Sequence, residues 1–561
     1  MKKVIPVIIT LLMMGSIFYG CNPGTSGGYT LSVNDITLEA GESAAVTYVI
    51  SPDDASIEVS IACNETDCEL IIDGLEITAP QDASEGQHTF TATAKKQVET
   101  IATKEFKVTI TQKSSAGNPR WNKTPEIKSV FFDDFGGELG FSSVNWHLVN
   151  YGWGQNGVSA YNAMYTRSPA VVNAENAKGG IVVLPSYGHY YEDTSKRGQG
   201  TCLISTNSYG PGLYEVRMKV VPRFGPCSAI WPYYTNSVQG VNTEENQEYT
   251  EIDIECPAQG RGFYAWGGVT YTKYYQDATT GKIMRSSTGV RAEVDSPYND
   301  GNWHVFGIEW RTDATNGDSY VIWYMDGKEV AFTTQNVPQY TAQLWIGNWF
   351  PDNATAWLGE ADFDVAYMLV DWVRITEYND PVNVRDPILG GCLTPTAATN
   401  LYSAPLPKNN YISNGTFKLS NGQSGVLGWQ HTSATKSGNS VILQSGGKIQ
   451  QDISAQYNGY TFDLSVTAAA QGGTVKVYVE YWKYNYGNSN ANSSVSSSNR
   501  TLVGKSDEMI FNSSNLTEKT LRFTLEPFEE GVAINNIKVV IESVGGQGTV
   551  TKAEMYLVNN N

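Results

Sequence analysis

Seven residues, Tyr249-Thr250-Glu251-Ile252-Asp253-Ile254-Glu255, have types and spacing suited to chemistry. Side chains alternate faces along a strand, so a strand here puts Glu251, Asp253 and Glu255 on one face and Ile252 and Ile254 on the other. A sheet would bury the isoleucines and hold three carboxylates in a row on its open side. Like charges so close repel, a cost that needs a use. Glycoside hydrolysis has one: a carboxylate must be ionised as nucleophile while another stays protonated as acid. Glu251 and Glu255 would lie roughly 13 Å apart at the backbone, at about 3.3 Å per residue. Retention needs carboxyl groups about 5–5.5 Å apart, so both side chains must lean inward around Asp253, which then modulates both. Acidic alternation alone is weak evidence in an acidic chain, because Glu360-Ala361-Asp362-Phe363-Asp364 repeats it. The neighbours must decide.

Those neighbours belong to a long chain. At 561 residues three or four domains are expected. Only 17% of residues are charged, Gly, Tyr and Trp are abundant, and long helical periodicity is hard to find, which predicts mostly β structure. The net charge of −19 argues against nucleic acid and against polyanionic polysaccharides. A monomer is expected.

Residues 1–20 read as a signal peptide: Lys2 and Lys3 precede an apolar stretch, Val4 to Phe18, too short for a stable transmembrane helix. Phe18-Tyr19-Gly20-Cys21 resembles a bacterial lipoprotein processing site, though looser than the usual Leu-Ala/Ser-Gly-Cys. The resemblance implies lipid on Cys21 and an exported chain anchored to a membrane, facing the cell surface or the periplasm. Export permits disulfides. Cys63 and Cys68 are close enough for a local bridge, whereas Cys202, Cys227 and Cys256 read as isolated buried thiols.

Residues 21–28 form a tether. Short alternating runs between 29 and 112, separated by Gly, Pro and Asp turns, predict a small immunoglobulin-like sandwich. A linker, 113–124, precedes a large domain over 125–379 that holds most of the tryptophans. Within it Asp326-Gly327 joins two alternating runs, Ser319–Met325 and Lys328–Phe332, which predicts a hairpin. Residues 380–408, rich in Pro, Gly, Thr and Ala, read as a second linker. The last segment, 409–561, is β-patterned again. Its run Thr474–Tyr484 puts Tyr478, Glu480, Trp482 and Tyr484 on one face and Val475, Val477, Val479 and Tyr481 on the other. That aromatic face suits stacking on sugars, or else forms the core of the sandwich.

The segment 125–378 resembles glycoside hydrolase family 16. The signature is Glu-Ile-Asp-Ile-Glu, Glu251 to Glu255. Tyr209–Lys219 looks like the family strand that carries a Glu and an Arg into the cleft, here Glu215 and Arg217. Ser228–Tyr233 looks like the following aromatic strand, with Trp231 and Tyr233 facing the sugar. Gln343-Leu344-Trp345, Trp357-Leu358-Gly359 and Asp371-Trp372-Val373 look like the late segment of the bacterial mixed-linkage β-glucanases. The resemblance implies an all-β fold: a concave jelly-roll sandwich with a sugar cleft, flanked here by the N-terminal sandwich and a C-terminal jelly roll. It implies retaining endo-hydrolysis of a polysaccharide, with Glu251 as nucleophile, Glu255 as general acid/base and Asp253 as their partner. Tyr249, Trp266, Gln343 and Trp345 join Glu215, Arg217, Trp231 and Tyr233 as expected substrate contacts. No cofactor is required. A structural calcium is found in some relatives, but no Asp-rich loop here demands one.

Many relatives acting on β-1,3-glucans, agar or carrageenan carry an extra residue before the last Glu; its lack here favours a mixed-linkage β-1,3-1,4-glucan. The strand after the catalytic one, Phe263–Tyr271, Gln343 in place of Asn, and Tyr249 in place of Trp depart from that group. A laminarinase, a xyloglucan- or galactan-active hydrolase, a transglycosylase and a non-catalytic glycan-binding protein are the alternatives. Ser413-Asn414-Gly415-Thr416-Phe417 followed by Gly428-Trp429 resembles the opening of family 4 carbohydrate-binding modules.

Overall fold

The computed structural model describes residues 29–39, 43–52, 54, 56–65, 68, 70–79, 86–111, 125–136, 141–150, 164–166, 180–190, 192–236, 248–257, 265–276, 283–293, 298–312, 319–350, 358, 361–396, 407–422, 425–454, 459–484, 500–525 and 536–558. Among them there is no α-helix, only a 3-10 turn at Thr194–Lys196. The protein is all-β, and it divides into two compact units, residues 1–124 and 125–561. The expected signal peptide, Cys21, and the linker at 113–124 lie outside the described residues.

The first unit holds β1 (Thr30–Val33), β2 (Ile36–Glu39), β3 (Ser43–Ala45), β4 (Tyr48–Ser51), β5 (Ile57–Cys63), β6 (Ile71–Asp73), β7 (Glu76–Thr78), β8 (Gly86–Lys96) and β9 (Glu99–Thr111). They form a sheet β2-β9-β8-β5, a sheet β3-β7-β6 and the pair β1-β4. Phe90, Phe106, Val108, Ile110 and Ile77 fill the space between them. Cys63 and Cys68 are joined as a disulfide.

The second unit begins with β10 (Ile127–Asp133), β11 (Trp146–Val149), β12 (Met164–Thr166), β13 (Ile181–Tyr187), β14 (Thr201–Tyr209), β15 (Gly212–Lys219), β16 (Cys227–Thr235) and β17 (Tyr249–Pro257). It continues with β18 (Ala265–Gln276), β19 (Ile283–Glu293), β20 (His304–Arg311), β21 (Tyr320–Met325), β22 (Lys328–Thr333), β23 (Ala342–Trp349), β24 (Val365–Tyr378) and the short β25 (Cys392–Leu393). Two sheets result. The front sheet runs β19-β18-β17-β16-β23-β14-β11-β25; the back sheet runs β12-β13-β24-β15-β20-β21-β22, with β10 also on β24. Alternation drives both to bury one face against the other. Ile230, Ile252, Ile254, Leu344 and Ile346 from the front meet Val216, Ile308, Trp323, Val373 and Ile375 from the back. The expected hairpin is β21-β22: Asp326 (φ 48°) and Gly327 (φ 75°) take the left-handed conformation its tight turn needs.

Residues 380–396 do not form a free linker. They lie along the front sheet, and β25 extends that sheet by pairing with β11. Residues 397–406 lie outside the described residues. The C-terminal strands are β26 (Gln430–Ser437), β27 (Ser440–Ser454), β28 (Thr461–Gln471), β29 (Thr474–Tyr484), β30 (Arg500–Lys505), β31 (Met509–Phe511), β32 (Thr517–Thr524), β33 (Asn536–Val544) and β34 (Gln547–Leu557). They close around one core containing Val475, Val477, Val479, Phe462 and Ile541.

Candidate active site

β17 lies inside the front sheet, antiparallel to β16 and β18. Glu251 stands opposite Tyr233 and Tyr271, and Glu255 opposite Ala229 and Gly267. Ile252 and Ile254 are fully buried between the sheets, so alternation delivers the three carboxylates to the outer face. Glu251 and Glu255 are half-buried there, and Asp253 between them is 6% exposed. The backbone at the centre of this row is pinned from behind: the Trp323 indole N–H donates to the Asp253 carbonyl at 2.9 Å. Trp323 comes from β21 of the back sheet and is fully buried, so the strand carrying the carboxylates is tied through the core.

Aromatic rings border the carboxylates. The Tyr249 hydroxyl donates to Glu251 Oε2 at 2.6 Å, a bond that favours a charged acceptor. Tyr233 meets Tyr249 edge-on at 5.6 Å and Trp345 at 5.5 Å. Trp345 in turn lies 5.6 Å from Trp231, tilted by 30°. Tyr249, Tyr233, Trp345 and Trp231 therefore line the outer face beside Glu251, as expected from their strand positions. Beneath them Cys202, Ile204, Cys227 and Ala229 form an apolar patch. Burial pushes the Cys227 thiol well up, and the neighbouring Glu255 adds to it, so this thiol stays neutral beside the acids.

Three of the expected contacts are placed differently. Glu215 and Arg217 sit on β15, which belongs to the back sheet. Tyr214, Val216 and Met218 of that strand enter the core, so Glu215 and Arg217 face away from the carboxylate row. Arg217 pairs with Asp371 and lies 5.0 Å from the Trp303 ring, a structural ion pair on the opposite side of the sandwich. The alternation of the segment is legible in sequence, but the sheet it joins is not. Gln343 does lie beside Tyr233 in register, yet it is only 4% exposed. Its amide donates to the Ser205 carbonyl at 2.8 Å and accepts from the Ile388 N–H at 2.7 Å. It holds the chain at 388 rather than presenting its amide to a ligand. Trp266 stands on β18 next to Gly267, but its side chain lies outside the described residues, as do Trp357 and Gly359.

Sequence reasoning missed the segment that contacts Gln343. Arg385 forms a two-pronged ion pair with Glu248 and lies 4.9 Å over the Tyr340 ring. Its own backbone N–H donates to Thr341 Oγ1 at 2.7 Å. The only sequence signal was an isolated arginine in a proline-rich stretch. On the C-terminal sandwich, Tyr478, Glu480 and Trp482 lie on the outer face of β29 and not in the core, which Val475, Val477 and Val479 fill. Arg500 lies 4.7 Å and Lys538 5.1 Å from the Trp482 ring. The side chain of Tyr484 is outside the described residues. Among the described residues, Cys63, Cys68 and His88 approach one another as metal ligands would, but the two sulfurs are already bonded.

Residues 162–374 match the model of "Glycosyl hydrolases family 16". A β-glucanase of Acetivibrio thermocellus is 24% identical over 262 residues, which is 46% of this chain and 66% of that protein. A β-glucanase of Paenibacillus macerans is 28% identical over 173 residues, 31% of this chain and 62% of that protein. Both alignments span less than two thirds of the relative's own length. Among solved structures, a β-1,3-1,4-glucanase (lichenase) from a mouse hindgut metagenome is 20% identical, over 45% of this chain and all of that one, with a TM-score of 0.33. The Bacillus licheniformis β-glucanase is also 20% identical, over 44% of this chain and 98% of that one, with a TM-score of 0.33. At that likeness neither bears on substrate. The family match spans the strand that carries Glu251, Asp253 and Glu255, and together with the β-glucanase relatives it supports a glycoside hydrolase domain over residues 162–374.

Proposed function

We propose that this chain is a retaining endo-β-glucanase, with mixed-linkage β-1,3-1,4-glucan as the preferred substrate. One observation carries the reading: Glu251, Asp253 and Glu255 share the outer face of β17, bordered by Tyr249, Tyr233, Trp345 and Trp231, within a family 16 domain. Glu251 attacks the anomeric carbon and forms a glycosyl-enzyme ester; Glu255 gives its proton to the departing glycosidic oxygen. Glu255, now a carboxylate, takes a proton from water, which attacks the same carbon and releases Glu251. Asp253, nearly buried between them, keeps the proton on Glu255 in the resting state by like charge. Rings at the rim stack on the apolar faces of pyranoses. No step calls for a cofactor.

The unbroken pairing of β17 with β18 from Glu251 to Glu255 supports the mixed-linkage preference, because an inserted residue would shift that register. The names of the matched relatives, β-glucanases, support a β-glucan as the substrate class. The reading extends to a lipid anchor on Cys21 and to export, on the Lys2–Cys21 pattern; fatty-acid labelling that persists in Cys21→Ala would refute the anchor. The decisive experiment measures products from mixed-linkage glucan, laminarin, xyloglucan and agarose, with Glu251→Ala and Glu255→Ala as controls. Mixed-linkage glucan is expected to be cut, and each variant to lose at least a thousandfold while staying folded. Laminarin or agarose as the sole substrate would overturn the specificity. Wild-type turnover in either variant would overturn the site, and sugar transfer to an added acceptor would make the enzyme a transglycosylase.

A further inference from the structure

The front sheet continues through β18 and β19 on one side of β17 and is strapped on the other. After β24 the chain turns back: Asp380 pairs with Arg311 at 2.7 Å, and the Asn383 carbonyl accepts from the Thr341 N–H at 3.0 Å. Arg385 is then locked to Glu248 and to Thr341. From there residues 386–393 cross the outer face. Ile388 bonds to Gln343 on β23 at 2.7 Å, and Leu389 and Cys392 join the apolar patch of Ile204, Cys202, Val149 and Trp345. The crossing ends at β25, where Cys392 stands opposite Val149 and Leu393 opposite Leu148. Leu389 and Cys392 share their patch with Trp231 and Trp345, and that patch is separate from the core between the sheets. The strap is thus on the same face as the three carboxylates. It is held by an ion pair, side-chain hydrogen bonds and strand pairing, so it is a built part of the fold.

A glycan lying across the strands at Glu251 and Glu255 runs towards β18 and β19 in one direction. In the other it crosses β16 over Trp231 and meets the strap between its contact on β23, Ile388 to Gln343, and its pairing with β11, a stretch centred on β14. Three strand spacings separate β17 from β14, about 14 Å, room for about two or three pyranose rings. We propose that the strap 385–393 walls the cleft on the β14 side, so that no more than about three sugar units are gripped there and the glycan must end or bend away at that point. This rests on the catalytic reading above. A β-1,3 linkage turns a chain where consecutive β-1,4 linkages continue it straight, so the wall selects a kinked glucan over a straight one.

The test is a series of end-labelled β-gluco-oligosaccharides of increasing length, scored for cleavage position and kcat/KM. Lengthening the sugar on the walled side beyond three units is expected to change kcat/KM by less than twofold, while lengthening on the other side continues to raise it. In Arg385→Ala/Leu389→Ala, checked by thermal unfolding, the walled side should gain at least fivefold with a fourth unit. Wild-type kcat/KM that keeps rising beyond three units on both sides would overturn the wall whatever the variant does. Should no oligosaccharide be hydrolysed, the catalytic reading falls first, and calorimetric binding of the same series to Glu251→Gln decides the wall separately. A plateau at three units on one side upholds it; affinity rising on both sides, or no binding at all, removes it.

Discussion

His304 opens β20 and is 8% exposed, wedged between two acids. Its Nδ1 lies 2.8 Å from Asp326 Oδ2, and its Nε2 lies 3.2 Å from Asp300 Oδ1. Both ring nitrogens can donate only in the imidazolium form. Burial alone would lower the pKa, but the bonds to Asp300 and Asp326 outweigh it and raise the value from 6.5 to about 9. A group with a raised folded pKa contributes stability that is complete below its unfolded value and is lost as pH climbs through the folded one. The relevant window therefore runs from 6.5 to about 9. A rise of that size corresponds to about 3 kcal/mol. Asp326 is half in solvent, and screening reduces the contribution to about 2 kcal/mol. Asp300 is held below the usual carboxylate range by the same contact, so its share is not added again. The clamp joins the β21–β22 turn to the loop carrying Tyr298, whose hydroxyl donates to the Pro257 carbonyl at the end of β17. We expect His304→Gln to cost about 2 kcal/mol in urea unfolding at pH 6, and the gap to wild type to close towards pH 10. Equal costs at pH 6 and pH 10 would show that the imidazole serves as filler and would refute the ion-pair account.

Two further outcomes follow from particular contacts. Trp323→Phe removes the indole donor to the Asp253 carbonyl, which should lower stability by about 1 kcal/mol and reduce kcat more than it changes KM. An unchanged kcat in the folded variant would show that the back sheet does not position the carboxylates. If the outer face of β29 is a glycan platform, Trp482→Ala should weaken retention of the protein on a β-glucan gel when Glu251→Ala is already present to stop cleavage. Undiminished retention would exclude the outer face of β29 as a glycan platform.

Local alternation is legible in the chain wherever one short segment decides the outcome. Ile252 and Ile254 enter the core and Glu251, Asp253 and Glu255 do not, because period two along a strand needs no knowledge of its neighbours. The Asp326-Gly327 turn is of the same kind, set by the left-handed backbone it requires. Sheet membership is not local. Glu215 and Arg217 alternate as expected with Tyr214 and Val216, yet β15 pairs with β20 and β24, strands that lie far along the chain. The same limit hid the strap. Proline and glycine in 380–396 signalled the absence of long regular strands, and a chain bonded to Gln343, Thr341 and Glu248 through isolated side chains has no periodicity to detect.

The second acidic alternation shows what separates a structural row of carboxylates from a catalytic one. Asp362 and Asp364 repeat the spacing of Asp253 and Glu255, but another layer of protein closes over them. Asp362 pairs with Arg223, which is fully buried and lies 4.6 Å from the Tyr411 ring and 5.3 Å from Phe363. Asp364 Oδ2 accepts from the Asn414 N–H at 2.7 Å, and Ser413 donates to the Asp362 carbonyl at 3.1 Å. Tyr411, Ser413 and Asn414 open the C-terminal sandwich, so the other layer supplies a donor to the Asp364 carboxylate and to the backbone carbonyl of Asp362. The Arg223–Asp362 pair lies within the first layer, and its guanidinium is covered by the Tyr411 ring of the second. On β17 the corresponding outer face is bordered by aromatic rings suited to a ligand. The bonds from Ser413 and Asn414 fix the C-terminal sandwich against the sandwich that carries β17, with a further bond from Tyr460 to Asn299 at 3.2 Å. A glycan platform on β29 would therefore be presented at a set angle to the cleft, and a chain held by both must span that fixed distance.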